Sequence, residues 1–300
     1  MKKVRFTKAD KICLLSFLPF GFFLYLGTYF LLLGDALGSI WFTVIICLVL
    51  WILSYGLKRI KKTKKRFRVS FILECVFFLV FTFVAFCSSF FYFPYINLLS
   101  NHKEVLEKTN KDIEQIKNMF EEYEIYSNKR IAQYKRDLNT AIIGKNANYS
   151  EYREYGFISN SRESDEKQMM RFVNILQTDL ISKSYLSLDS TAHQWLAYAQ
   201  SKVSILSPFS LVKVVNSIEY QGDVWRVQLL KYSETPRMQR EKAEPFVYAF
   251  SFTNAKVYFT EIKTPTLFAL VSVVFLYFCM LFSYFITGRN EKFPGYKNIF

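Results

Sequence analysis

Four stretches of this chain are apolar for long enough to cross a bilayer, and that pattern limits the available folds more than any other feature. Ile12 to Leu33 and Ile40 to Leu57 hold no charged residue, Thr266 to Thr287 holds none, and Ser70 to Phe93 holds only Glu74. At about 1.5 Å of rise per residue, a helix of this length approaches or reaches the roughly 30 Å of a hydrocarbon core. Hydrocarbon offers no partner to a backbone N–H or C=O, so each block is expected to be helical despite its Phe, Val and Tyr content. The run at Ile12 is longer than the core of a secretory signal, so it reads as a retained anchor.

Basic residues near span ends set orientation. Lys2, Lys3, Arg5, Lys8 and Lys11 precede the first span against one acid, Asp10. The loop after the second span carries Lys58, Arg59, Lys61, Lys62, Lys64, Lys65, Arg66 and Arg68 with no acid. Arg289, Lys292 and Lys297 follow the fourth span. Four spans bring these three segments to one side, which predicts a cytoplasmic start (1–11), a cytoplasmic basic loop (58–69) and a cytoplasmic tail (288–300). Gly34 to Ser39 is then a tight outer turn, and residues 100–264 form one extracytoplasmic domain between spans three (70–93) and four (266–287). Basic charge placed this way is a topology signal, so the pI of 9.4 does not indicate nucleic-acid binding. The loop can also attract anionic lipid headgroups. All five cysteines, Cys13, Cys47, Cys75, Cys87 and Cys279, fall in the apolar blocks, so the outer domain has no disulfide framework.

The outer domain reads as α+β. Residues 103–143 are strongly charged with an apolar stripe, Leu106, Ile113, Ile116, Phe120, Tyr123, Ile131, Tyr134 and Leu138, on mostly three-and-four spacing. A long amphipathic helix with so narrow a stripe resembles a coiled-coil seam, and the stripe must be covered either by a partner chain or by the domain's own core. Residues 144–165 read as a loop, 166–183 and 191–206 as helices, the latter opened by Leu188-Asp189-Ser190-Thr191, and 208–215 as a short helix. Val224 to Tyr232 alternates Trp225, Val227 and Leu229 with polar residues, and Phe246 to Thr253 and Lys256 to Ile262 flank Asn254-Ala255, which together predict a small antiparallel sheet. Pro94 is expected to kink or end the third span.

Catalytic chemistry finds little support. His102 and His193 are the only histidines; Asp189, Ser190 and His193 lie close in sequence, but Asp189 reads better as a helix cap. No metal-ligand cluster and no phosphate-binding glycine loop is evident, so the expectation is no enzyme, cofactor or metal. Glu74 sits about one turn inside the third span and is expected to reach Arg68 or Lys65 rather than to relay protons.

The basic start Met1-Lys2-Lys3, the close hairpin of spans one and two around Gly34-Asp35, the loop Lys58-Arg59-Ile60-Lys61-Lys62, the single outer domain and the short tail give a layout that resembles the TssN family. That family is a multi-span inner-membrane component of a variant type VI secretion machine. The resemblance implies a structural subunit of a bacterial trans-envelope complex, homo- and hetero-oligomeric, that anchors a baseplate and contractile tail. A membrane sensor acting through a partner protein is the alternative, and an assembly factor for another membrane protein is a third.

Overall fold

The computed structural model describes residues 7–62, 67–159, 161–203, 207–234, 238–241, 243–260 and 264–289. Ten helices are found among them: α1 Lys8–Leu31, α2 Ala36–Lys62, α3 Phe67–Ser100, α4 His102–Ile143, α5 Tyr149–Glu154, α6 Asp165–Leu180, α7 Lys183–Lys202, α8 Pro208–Glu234, α9 Val257–Thr260 and α10 Leu267–Ile286. They fall into two units. One comprises residues 1–105, 205–213 and 255–300; the other comprises 106–204 and 214–254.

The first unit contains α1, α2, α3 and α10, each long and apolar enough to cross a membrane. The chain is a multi-pass membrane protein. Of the four, α1 is the most enclosed, with half of its apolar stretch buried against α2, α3 and α10. Large apolar residues of α2, α3 and α10 point outward, among them Trp41, Val44 and Ile45, Leu79 and Phe83, and Leu270 and Phe275. Outward apolar faces are what lipid requires, because lipid tails solvate Leu and Phe as well as a protein core does. At Gly27 α1 meets α3 closely: a Cβ there would lie 2.0 Å from the Phe91 carbonyl oxygen. Only glycine lets the two backbones meet. The α1–α2 turn places Leu33 and Gly34 at φ of 50° and 102°, and the Asp35 carboxylate then accepts from the Gly38 N–H at 3.1 Å to start α2. Pro94 lies within α3, which continues to Ser100, so the helix does not end there.

The second unit is helical, and the predicted sheet is not present: no strand occurs among the described residues. Val224 to Tyr232 belongs to α8, where Leu211, Val215, Ile218, Gly222, Trp225, Leu229 and Ser233 recur every three or four positions and are buried, whereas Val227 is exposed. The apparent period of two was a fragment of that longer helical period. Asn254 takes a left-handed conformation (φ 51°), and the chain turns from it into α9 rather than into a second strand; residues 261 and 262 lie outside the described residues. The stretch from Phe246 to Thr253 forms no strand, and its backbone partners include side chains of α4. Gln115 of α4 accepts from the Ser251 N–H at 2.9 Å and donates to the Ser251 carbonyl at 2.9 Å. Asp112 accepts from the Thr253 N–H at 2.8 Å.

Other boundaries shift for local reasons. The region 144–165 includes the short α5, capped by Asn148. Ser164 and Ser182 cap α6 and α7, so Asp189 lies inside α7 and caps nothing; its side chain meets His193 one turn on, at 3.1 Å.

Candidate functional site

Where the apolar helices meet their basic flanks, polar side chains tie the four spans together. Asp10, in the first turn of α1, accepts from Lys58 near the end of α2, and from the Ser283 hydroxyl of α10 at 2.5 Å. Lys58 is a charged residue only 3% exposed. One turn deeper, the Cys13 thiol and the Ser54 hydroxyl both donate to the Met280 carbonyl of α10, at 2.9 and 2.8 Å. Glu74 of α3 is 4% exposed and accepts from the Tyr284 hydroxyl at 2.7 Å and from the Arg289 guanidinium at 2.5 Å. Lys61 of α2 stands over the Tyr284 ring at 4.5 Å and donates to the Tyr284 carbonyl at 3.1 Å.

Glu74 therefore turns not to Arg68 but to Arg289, three residues beyond the end of α10; Lys65, the other expected partner, lies outside the described residues. The physical reason is distance along the structure rather than the sequence: Arg289 sits beside Phe71 and Glu74, with its guanidinium 5.3 Å from the Phe71 ring. A buried carboxylate needs a cation with hydrogen-bond geometry, and a guanidinium satisfies it better than a freely solvated lysine. In this arrangement Asp10 joins α1 to α2 and α10, and Glu74 joins α3 to α10.

The basic loop is only partly described. Lys58, Arg59, Lys61 and Lys62 complete α2, Arg68 is exposed at the start of α3, and Lys64, Lys65 and Arg66 lie outside the described residues. Two of these cations, Lys58 and Lys61, have been drawn into the bundle. Sequence reasoning missed this use of them; the signal for it was Asp10, the one acid among the basic residues before the first span.

The α4 stripe is covered by the chain itself. Ile113, Ile116, Phe120 and Tyr123 are buried in a core with residues of α7 and α8 and with Phe246, while Tyr134 and Leu138 are buried with α5 and α6. Ile131 packs on that second cluster, and Leu106 is partly buried. The domain's own core is thus the stripe's partner. Burial pushes the Tyr123 and Tyr134 phenols up to about 12.

Around that stripe, charged residues act as pins. Arg130 is held to Glu241 through Nε and Nη2 at 2.6 and 3.0 Å, and also donates to the Tyr126 hydroxyl and the Ser233 carbonyl. Burial disfavours the Arg130 cation, but the Glu241 carboxylate more than compensates and its pKa is raised. Asp112 stands the other way: burial raises its pKa despite the hydrogen bonds from Thr253. Asp165 is lowered by hydrogen bonds from Tyr152 and Lys145. No group of His, Cys, Asp and Glu suited to a metal occurs among the described residues. No protein-family model, curated protein or solved structure matches the chain.

Proposed function

We propose that this protein is a non-catalytic structural subunit of a multiprotein cell-envelope complex in the bacterial inner membrane, with its basic ends in the cytoplasm and its helical domain in the periplasm. The observation that carries this reading is how polar groups are used within the spans. Asp10 is neutralised by Lys58 of α2 and Glu74 by Arg289 just beyond α10, and hydrogen bonds from Ser283 and Tyr284 of α10 join them, so they hold α1, α2, α3 and α10 in fixed relation. Transport requires polar groups facing a path at mid-membrane. A sensor that shifts α3 against α10 would have to break the Glu74–Arg289 pair, and separating a buried ion pair costs about 3–5 kcal/mol. A static anchor has use for that stiffness.

The layout's resemblance to the TssN family makes the membrane complex of a type VI secretion system the specific form of the proposal. There, the cytoplasmic basic segments would face the baseplate, and neighbouring subunits of the same and other kinds would complete the assembly. The test is extraction of the tagged full chain from its native membrane in mild detergent, followed by mass measurement and identification of what accompanies it. The proposal expects a particle several times the 35.5 kDa of the chain, with envelope proteins in fixed ratio. A lone monomer would overturn it.

A further inference from the structure

One face of α1 runs Leu15, Leu18, Phe22, Tyr25 and Tyr29, at the three-and-four spacing that keeps all five on one side of a helix. The first three are 60%, 67% and 55% exposed, which makes this the side that α1 turns to lipid. The last two are covered from elsewhere in the chain. The Phe209 ring stands 6.1 Å from the Tyr25 ring and 5.0 Å from the Tyr29 ring, edge-on to the latter. Phe209 is the second residue of α8, and residues 208–213 of that helix belong to the membrane-spanning unit.

Tyr29 and Tyr25 lie four and eight residues before Leu33, where the apolar run ends, or about 6 and 12 Å inside it at the rise of a helix. A ring packed on both therefore sits below the end of the span, at the boundary of the hydrocarbon. Val212, one turn further along α8, reaches the α1–α2 turn: a Cβ at Gly34 would lie 3.6 Å from its Cγ1. So α8 starts beside the side of α1 and reaches the level of the turn one helical turn later. Its start suits a medium without water. Pro208, at the first helical position, has no N–H, and the Ser210 and Leu211 N–H groups both donate to the Ser207 carbonyl, at 3.1 and 3.0 Å. The Ser207 hydroxyl donates to Ser210 Oγ at 3.1 Å. Phe209 keeps 44% of its surface open, so the face it turns away from the two tyrosines continues the lipid-facing stripe of α1 where Phe22 leaves off.

We propose that residues 208–213, which the sequence assigns to the outer domain, dip into the leaflet at the α1–α2 end of the bundle, and that Phe209 lies among acyl chains there. An aromatic ring at this depth acts as an interfacial anchor. The chain then holds the membrane at one place beyond its four crossings. The inference rests on the chain spanning a membrane and is independent of the scaffold role.

The test uses the full chain with Trp41, Trp51, Trp195 and Trp225 replaced by Phe, so that Phe209→Trp carries the one tryptophan, reconstituted in phosphatidylcholine vesicles. Leu18→Trp and Lys62→Trp in the same background calibrate lipid and water, and size exclusion with thermal unfolding confirms that each chain is folded. Phosphatidylcholine brominated along its acyl chains should lower the emission of Phe209→Trp as far as that of Leu18→Trp, while aqueous iodide quenches Lys62→Trp alone. A nitroxide on Phe209→Cys, with the five native cysteines replaced, repeats the measurement with the native tryptophans in place. Oxygen, which concentrates in lipid, should relax that label more than a water-soluble nickel chelate does. Iodide quenching of Phe209→Trp to the level of Lys62→Trp overturns the proposal. So does quenching by neither agent, which would place Phe209 against protein, or a nitroxide that the nickel chelate reaches more readily than oxygen.

Discussion

Replacing Arg289 by Met strands a carboxylate inside the membrane bundle. Glu74 has a side chain only 5% exposed, and its two partners are Tyr284 and Arg289. Removing one member of a buried pair costs about 3–5 kcal/mol, because the remaining charge is left uncompensated. The Tyr284 hydroxyl stays in place and the Arg289 site is 21% exposed, which places the expected loss at the lower end of that range. Glu74→Gln is milder: the Tyr284 hydrogen bond survives, and the freed Arg289 can turn to water, for a loss of about 1 kcal/mol. Once the charge at residue 74 is gone, Arg289→Met should add little, so the double variant falls short of the sum of the singles by roughly 3 kcal/mol. Reversible unfolding of the four proteins in one detergent measures this cycle. An Arg289→Met variant as stable as the native chain, or strict additivity across the cycle, would refute the reasoning.

Gly27→Ala forces a methyl group against the Phe91 carbonyl and should destabilise the bundle by about 1–3 kcal/mol or more, read as a lowered unfolding midpoint. Gln115→Ala removes its three side-chain hydrogen bonds with Ser251 and should open the segment 246–253 to protease before the rest of the helical domain is cut, at a cost of about 1–3 kcal/mol. Asp112 gives a pH dependence of defined sign. Its folded pKa is raised above the ordinary 3.8, so its contribution is fully favourable below that value and is lost as pH rises through the folded pKa. Asp112→Asn should therefore remove the fall in stability that the native chain shows as pH rises above about 3.8.

The membrane-spanning helices were legible because a charge-free run of such length has one common solution in lipid, and the long α4 because its apolar residues kept a helical spacing for some forty positions. The sheet was misread at Val224 to Tyr232, where β-branched and aromatic residues carry strand propensity that tertiary burial of Trp225 and Leu229 overrides. At Phe246 to Thr253 the predicted strand does not form, because the segment's backbone pairs with side chains of α4 instead of with a second strand. Nothing local reveals that Gln115 and Asp112, more than 130 residues earlier, stand in for a neighbouring strand. The polar ties of the bundle were hidden for the same reason. Glu74 and Arg289 are 215 residues apart, and nearer lysines competed for the assignment.

The proposed topology has four crossings, with the basic segments on the cytoplasmic side and residues 106–254 on the opposite side. Accessibility of single cysteines tests it most directly, using a chain with its five native cysteines replaced and one cysteine introduced at Lys8, Lys62 or Glu121, all in the described structure. A membrane-impermeant maleimide applied to right-side-out spheroplasts should label the Glu121→Cys chain at once, and label Lys8→Cys and Lys62→Cys only after lysis. Labelling of Lys62→Cys together with Glu121→Cys in intact spheroplasts would contradict it.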